Sequence, residues 1–314
     1  MRSDLPRKSD SPNIFDKSRE SDFRLKTLSI IFDEPEFSEQ KYQKLVADKI
    51  KSDHREKKVT KEDFLRLKDS IFSAIDQPTV DGVNVYFVAQ AARAAGLKTV
   101  LSGLGSDETF CGYSNFRRAG LIRFIQKVPL LPTILSLLMS RPAAKKLRYL
   151  TKKHPLYFYL ALRGLFVPGE AAGLLRVPER DVWDILKKME ALIPQKAARL
   201  HPVDLLSYLE VNFYMSNQLL KDADFMSMAS SLEVRVPFLD PPLVEYLSSL
   251  PPGLKTGGRP KRLLIEALGG GLPREIWDRP KMGFTFPFQK WLDSGSIQWA
   301  RFWAQKILNQ WKKM

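Results

Sequence analysis

The chain has 314 residues, 44% of them hydrophobic and 27% charged, with a formal net charge of +15. That is ample apolar material for a core, and no run nears the ~20 uninterrupted apolar residues of a membrane helix; residues 119–139 come nearest but contain Arg123, Lys127, Pro129 and Pro132. A single cysteine, Cys111, excludes an internal disulfide, and the scattered His54, His154 and His201 give no transition-metal signature.

Residues 1–25 mix charged, Ser and Pro residues and are predicted to be a tail without apolar anchorage. Thr27–Phe32 (TLSIIF) reads as a strand, followed by a helix from a Ser38 cap to Lys51 with Tyr42, Leu45, Val46 and Ile50 on one side. His54–Thr60 reads as a second strand. Thr60 with Asp63 then makes a capping arrangement for a helix over 61–75. A further helix is predicted from Val83 to Ala95 with Gly96 as its stop, and Leu97–Leu101 as the third strand. Strands alternating with helices predict an α/β fold with a parallel sheet. Beyond Tyr113 the pattern is helical to the end, clearest over 205–220, 242–250, 261–268 and 296–313. In the last helix Trp299, Trp303, Ile307 and Trp311 recur every four residues. That face either packs on the domain or, with its basic flanks, lies on a membrane or partner.

The positive charge admits a polyanionic partner. Yet the basic residues are spread out, and the densest stretch, 141–153, offers only Tyr149 for stacking. Specific nucleic-acid binding is not expected. The polar N-terminus shows no leader pattern, and with one cysteine a cytoplasmic location is expected.

Ligands of parallel α/β sheets sit beyond the carboxyl ends of the strands. The segment there is Ser102-Gly103-Leu104-Gly105-Ser106-Asp107-Glu108-Thr109-Phe110-Cys111-Gly112-Tyr113. Gly103 and Gly105 allow close backbone approach to a ligand. Asp107 and Glu108 are candidate Mg²⁺ ligands, because that ion takes carboxylate oxygens shared with phosphates. Alone, the loop reads first as a glycine turn with an acidic helix cap, and only then as a ligand site.

The loop resembles the pattern SG-x-G-x-DE-x-F-x-GY of the synthetase domain of glutamine-dependent asparagine synthetases. Asp224–Asp240 (DFMSMASSLEVRVPFLD) and Arg279–Pro287 (RPKMGFTFP) resemble two further blocks of that family, in the same order. The similarity runs from about Leu25 to Trp291, leaving a tail at 1–25, a synthetase domain over 26–295 and a C-terminal helix over 296–314. It implies an adenine nucleotide α hydrolase-like sheet followed by an all-helical half. It also implies ATP and Mg²⁺ as cofactors, aspartate or a similar carboxylate and ammonia as substrates, and an aspartyl-adenylate intermediate. On this resemblance Ser29, Ser102, Gly103 and Gly105 would line the adenosine pocket, and Asp107 with Glu108 would face the metal. Lys281 would be the catalytic cation at the phosphates. Arg235, Glu233 and Asp240 would buttress the fold through a buried ion pair.

Three departures stand out. No glutaminase domain with its leading cysteine is found, so glutamine hydrolysis is not expected of these residues. The pyrophosphate loop SGG-x-DS, which would precede Thr27, does not occur, and its central strand is expected to be missing. Leu104 and Cys111 replace an acidic residue and a glycine common in relatives, and Cys111 reads as a buried filler. The resulting expectation is a truncated or split synthetase whose partner, an upstream chain, carries the glutaminase domain and the pyrophosphate loop. The alternative is a non-catalytic nucleotide-binding or interaction remnant.

Overall fold

Strand β1 (Lys26–Ile31, KTLSII) alternates: Leu28 and Ile30, and then Phe32, enter the core, while Thr27 and Ser29 face the other side. In the computed structural model, which describes residues 24–138, 145–292 and 299–312, β1 pairs in parallel with β2 (Asp53–Lys58). The register runs from Lys26 opposite Asp53 to Ile31 opposite Lys58. Composed as DHREKK, β2 is a charged edge strand, a composition that discourages further pairing. Helix α1 (Gln40–Ile50) makes the crossover. The predicted Ser38 cap is not formed: the helix starts after Glu39, one residue too late for Ser38 to reach the first free amides. At α2 (Lys61–Ser73) the reciprocal Thr60–Asp63 box is present, with Asp63 N donating to Thr60 Oγ1 at 3.3 Å and Thr60 N to Asp63 Oδ2 at 3.2 Å.

Helix α3 (Gly82–Ala94) ends where Gly96 adopts a φ of 78°, a left-handed turn that costs glycine no Cβ clash. It leads into β3 (Thr99–Leu101), which pairs in parallel with β4 (Glu233–Arg235), Thr99 opposite Glu233 and Leu101 opposite Arg235. β4 corrects the expectation of an all-helical second half. Three residues carry too little periodicity to announce a strand, and only the long-range ladder to β3 makes one. Among the described residues the strands form two parallel pairs, β1–β2 and β3–β4, with no ladder between β1 and β3. Leu101 remains 71% exposed.

Helix α3 spans the two pairs. Val83, Tyr86 and Phe87 share a core with Ile30, Phe32 and Phe64, whereas Ala89 and Ala92 pack on Leu232 and Val100. The first core is closed by Phe286, Phe288 and Trp291 and by the C-terminal helix Trp299–Trp311, whose Trp303 and Ile307 are buried. Phe288 and Trp303 stack at 4.7 Å and 9°. Trp303, Ile307 and Trp311 of the regular apolar face therefore pack on the domain.

The remainder is helical: a short α4 (Ser106–Thr109), α5 (Asn115–Lys127), and helices over Pro155–Arg163 and Pro202–Leu209. Phe116, Ala119, Leu156, Phe158, Leu205, Leu206 and Leu209 bury one another there. Cys111 joins them, and burial pushes its thiol up to about 12, which leaves it an inert filler. The helix from Pro202 continues as a π-helix over Glu210–Leu219 before returning to α geometry over Leu220–Met228. No single helix among the described residues is long and apolar enough to cross a membrane, and the pair 115–127 and 131–138 is bent by 111°.

Candidate active site

The loop from Ser102 to Tyr113 is held by its own backbone. Ser102 N donates to Arg235 O at 2.8 Å, tying the loop to the end of the β3–β4 pair. Ser106 Oγ donates to Gly103 O at 2.8 Å and Thr109 Oγ1 to Gly105 O at 2.7 Å. Gly105 has a φ of 90°, and a Cβ there would lie 2.5 Å from Leu239, so conformation and space both require glycine. Gly112 is needed for a different reason. A Cβ on it would lie 1.9 Å from Asp107 Oδ1 and 2.7 Å from Lys261 Cε. Its missing side chain is the space in which those two groups meet.

Around Asp107 the structure gathers two cations. Lys281 Nζ donates to Asp107 Oδ1 at 2.7 Å, although the residues are 174 apart in sequence. Lys261 Nζ lies 3.2 Å from the same oxygen and donates to Ser106 Oγ at 2.9 Å. The Asp107 side chain is 24% exposed and that of Lys281 43%. Two ammonium groups on one carboxylate leave a local positive excess open to solvent, which favours an anionic ligand.

Glu108 faces the opposite way. It is 1% exposed, and Tyr113 Oη donates to its Oε1 at 2.6 Å. Burial raises its pKa, the Tyr113 hydrogen bond opposes the rise, and the charge of Asp107 adds to it. The Tyr113 ring in turn carries Lys281 Nζ at 4.1 Å and the Arg163 guanidinium at 4.7 Å from its centroid. Arg163 also lies 4.1 Å from the Tyr214 ring and pairs with the fully buried Glu210 at 3.0 Å. Asp81 accepts from Tyr214 Oη at 2.8 Å and Gln218 Nε2 at 2.5 Å. Buried Asp222 accepts from Thr79. Burial raises Asp81 and brings Glu210 to about 7, the latter against the pull of Arg163; Asp222 also reaches about 7, from burial and then the nearby Asp81 charge.

The expected site residues thus fall in two places. Asp107, Glu108, Ser102, Gly103 and Gly105 share the loop, and Lys281 is brought to it. Ser102 Oγ accepts from Leu104 N at 3.3 Å, and a side chain on Gly103 would meet nothing within 4 Å. Ser29 lies in the other strand pair. It lines a recess of about 300 Å³ with Thr27, Tyr42, His54, Ile276 and Arg279. Glu233 and Arg235 pair at 2.9 Å but are 56% and 64% exposed, so the buried buttress expected of them is not formed. They stand two apart on the open face of β4, where alternation puts both toward solvent. Sequence reasoning missed Lys261, Tyr113 and the Arg163 cluster. Lys261 lies in a helix-like run that gives no sign of its reach to Asp107, and the π-helix bearing Glu210, Tyr214 and Gln218 has no local signature.

The asparagine synthase family profile matches residues 16–312. The chain belongs to the asparagine synthase family. It is 29% identical, over 96% of its length, to asparagine synthetase [glutamine-hydrolyzing] 1 of Bacillus subtilis. A putative asparagine synthetase [glutamine-hydrolyzing] of Mycobacterium tuberculosis is 31% identical over 88% of the chain. Amidase chry2 of Gibberella zeae, a differently named protein, is 27% identical over 70% of the chain. The match covers 49%, 43% and 36% of those relatives, so the chain spans about half the length or less of the curated asparagine synthase relatives it matches.

Proposed function

We propose that this chain performs the ATP-dependent synthetase step of an asparagine-synthetase-type ligase. The observation that supports it is the convergence of Lys281 and Lys261 on Asp107, at 2.7 and 3.2 Å. A carboxylate oxygen of aspartate attacks the α-phosphorus of ATP, the bond to the β-phosphate oxygen breaks, and pyrophosphate leaves an aspartyl-adenylate. Ammonia then attacks the acyl carbon, loses a proton and expels AMP. Lys281 stabilises charge building on the phosphates, and Lys261 adds a second cation beside it. Ser102, Gly103 and Gly105 bring backbone groups to the nucleotide, and Ser29 serves it from the β1 side. The fold, in this view, is of the adenine nucleotide α hydrolase type.

Asp107 fits Mg²⁺, since it is a partly exposed oxygen donor beside the expected phosphates, and Glu108 is committed to Tyr113. Bound there, the ion would neutralise phosphate charge. The SGG-x-DS loop is absent from the 314 residues. We assign phosphate cradling to a segment from outside them, entering between β1 and β3, which share no ladder. The names of the amidase relatives make other carboxylates worth testing as acceptors.

The test is pyrophosphate release from Mg-ATP, aspartate and ammonium, with and without a polypeptide carrying an SGG-x-DS loop. Aspartate-dependent release that falls about 100-fold or more in Lys281→Ala and Asp107→Ala is expected. Unchanged rates in both variants would remove the site assignment. Nucleotide binding without aspartate-dependent release would instead favour the binding-module alternative.

A further inference from the structure

A lysine on a loop has three donors, a flexible four-carbon stem and no intrinsic direction. Lys281 is 43% exposed, and one ion pair at that exposure holds a side chain weakly. Something further must fix its ammonium group if it is to meet a developing charge.

We propose that Tyr113 is the positioning residue for Lys281. Its ring centroid lies 4.1 Å from Lys281 Nζ, well inside the range of a cation–aromatic attraction. The ring cannot easily turn away. Its hydroxyl donates to Glu108 at 2.6 Å, and Glu108 is almost completely buried, so swinging the ring out would leave that carboxyl group without its side-chain donor. The Arg163 guanidinium, 4.7 Å from the same ring, contributes a second contact to hold it. Lys281 therefore sits between a carboxylate that attracts it, Asp107, and a ring that confines it. Adjacent residues divide the labour: Asp107 holds the ammonium directly, and Glu108 holds the ring on which it rests. The hydroxyl of Tyr113 acts on the ring and the ring acts on the lysine.

Two readouts test this, one of them independent of catalysis. The first uses the full chain with isotopically labelled lysine, the Lys281 resonance being assigned by its loss in Lys281→Met. The ring current of Tyr113 displaces the Lys281 ε-methylene protons upfield of free lysine. The displacement shrinks in Tyr113→Phe, which keeps the ring but loses its bond to Glu108, and disappears in Tyr113→Leu. A wild-type resonance at the free-lysine position overturns the proposal, whether or not the Leu variant folds. So does a displacement that survives in a folded Tyr113→Leu.

The second readout rests on the ligase reading. Tyr113→Leu lowers kcat for pyrophosphate release roughly tenfold or more with the KM for ATP little changed, because misplacement rather than lost binding is the defect. Tyr113→Phe recovers part of the rate, because the ring is present but no longer tied to Glu108. Adding Tyr113→Leu to Lys281→Met lowers the rate no further, since the two act as one unit. Additive losses, or a rise in KM alone, refute positioning. A wild-type chain without turnover refutes the ligase reading instead and leaves the lysine resonance to decide the role of Tyr113.

Discussion

Two clusters of charge lie close together in this molecule and are built on opposite terms. Around Asp107, two lysines and one carboxylate meet at the surface, with side chains 24% to 43% exposed. Around Arg163, the carboxyl group of Glu210 is fully buried and that of Asp222 nearly so, while Arg163, Asp81 and Tyr214 are partly buried around them. Solvent keeps the first cluster cheap to rearrange: its ion pairs are screened and exchange for a ligand's charges at little cost. Desolvation makes the second costly to disturb, because any charge left without its partner has no water to replace it. Tyr113 joins them, bonded to buried Glu108 and lying under exposed Lys281. The lesson is that the same residue types are open to exchange in one place and rigid in the other, and the burial of the carboxylate separates the two: Glu210 is fully buried and Asp107 is 24% exposed.

The comparison breaks most visibly if the buried cluster can be emptied freely. Arg163→Met takes the cation from fully buried Glu210, which must then take up a proton or stay unpaired, and should cost roughly 3–5 kcal/mol of stability in urea unfolding. A loss below about 1 kcal/mol would mean the cluster is hydrated after all. The exposed cluster responds in function, with the fold intact. Gly112→Ala puts a methyl group into the space of the Asp107 carboxylate, and the colliding atoms are the movable ends of side chains. Pyrophosphate release should fall roughly 30-fold or more through misplacement, with the melting temperature nearly unchanged.

Acidity sharpens the contrast. Asp222 rises to about 7 in the fold, against about 4 for an unfolded aspartate. Between those values the folded chain binds more protons than the unfolded chain, so this group lowers stability as pH climbs from about 4 to about 7 and no further above. Asp222→Asn removes that slope, and its melting temperature should exceed that of the wild type at pH 8 and match it more closely near pH 5. The reverse order would place the titration elsewhere. Smaller effects belong to purely local devices. Thr60→Ala loses the α2 capping box and should cost about 1 kcal/mol. Arg235→Ala removes only an exposed pair on β4 and should leave the midpoint of the same unfolding experiment unchanged.

How much could be read from sequence follows the range of the interactions. The Thr60–Asp63 box, the Gly96 stop and the four-residue repeat through Trp303, Ile307 and Trp311 were legible because each depends on residues within one or two turns. The Ser38 cap failed by a single position, the usual margin at helix ends. β4 could not be read at all, because Glu233-Val234-Arg235 becomes a strand only through its ladder with β3.

By itself, then, the sequence determined the alternation of strands and helices, the caps, the glycine turns and the three motifs that mark the asparagine synthase family. Folding decided which of these meet. It brought Lys281 across 174 residues to Asp107, added Lys261 from a segment with no motif, and turned Glu108 inward to Tyr113 while its neighbour faces solvent. Local order is written in spacing because the backbone imposes its period over a few residues. The direction and burial of a charged side chain depend on what the rest of the chain places around it, and only the folded molecule contains that information.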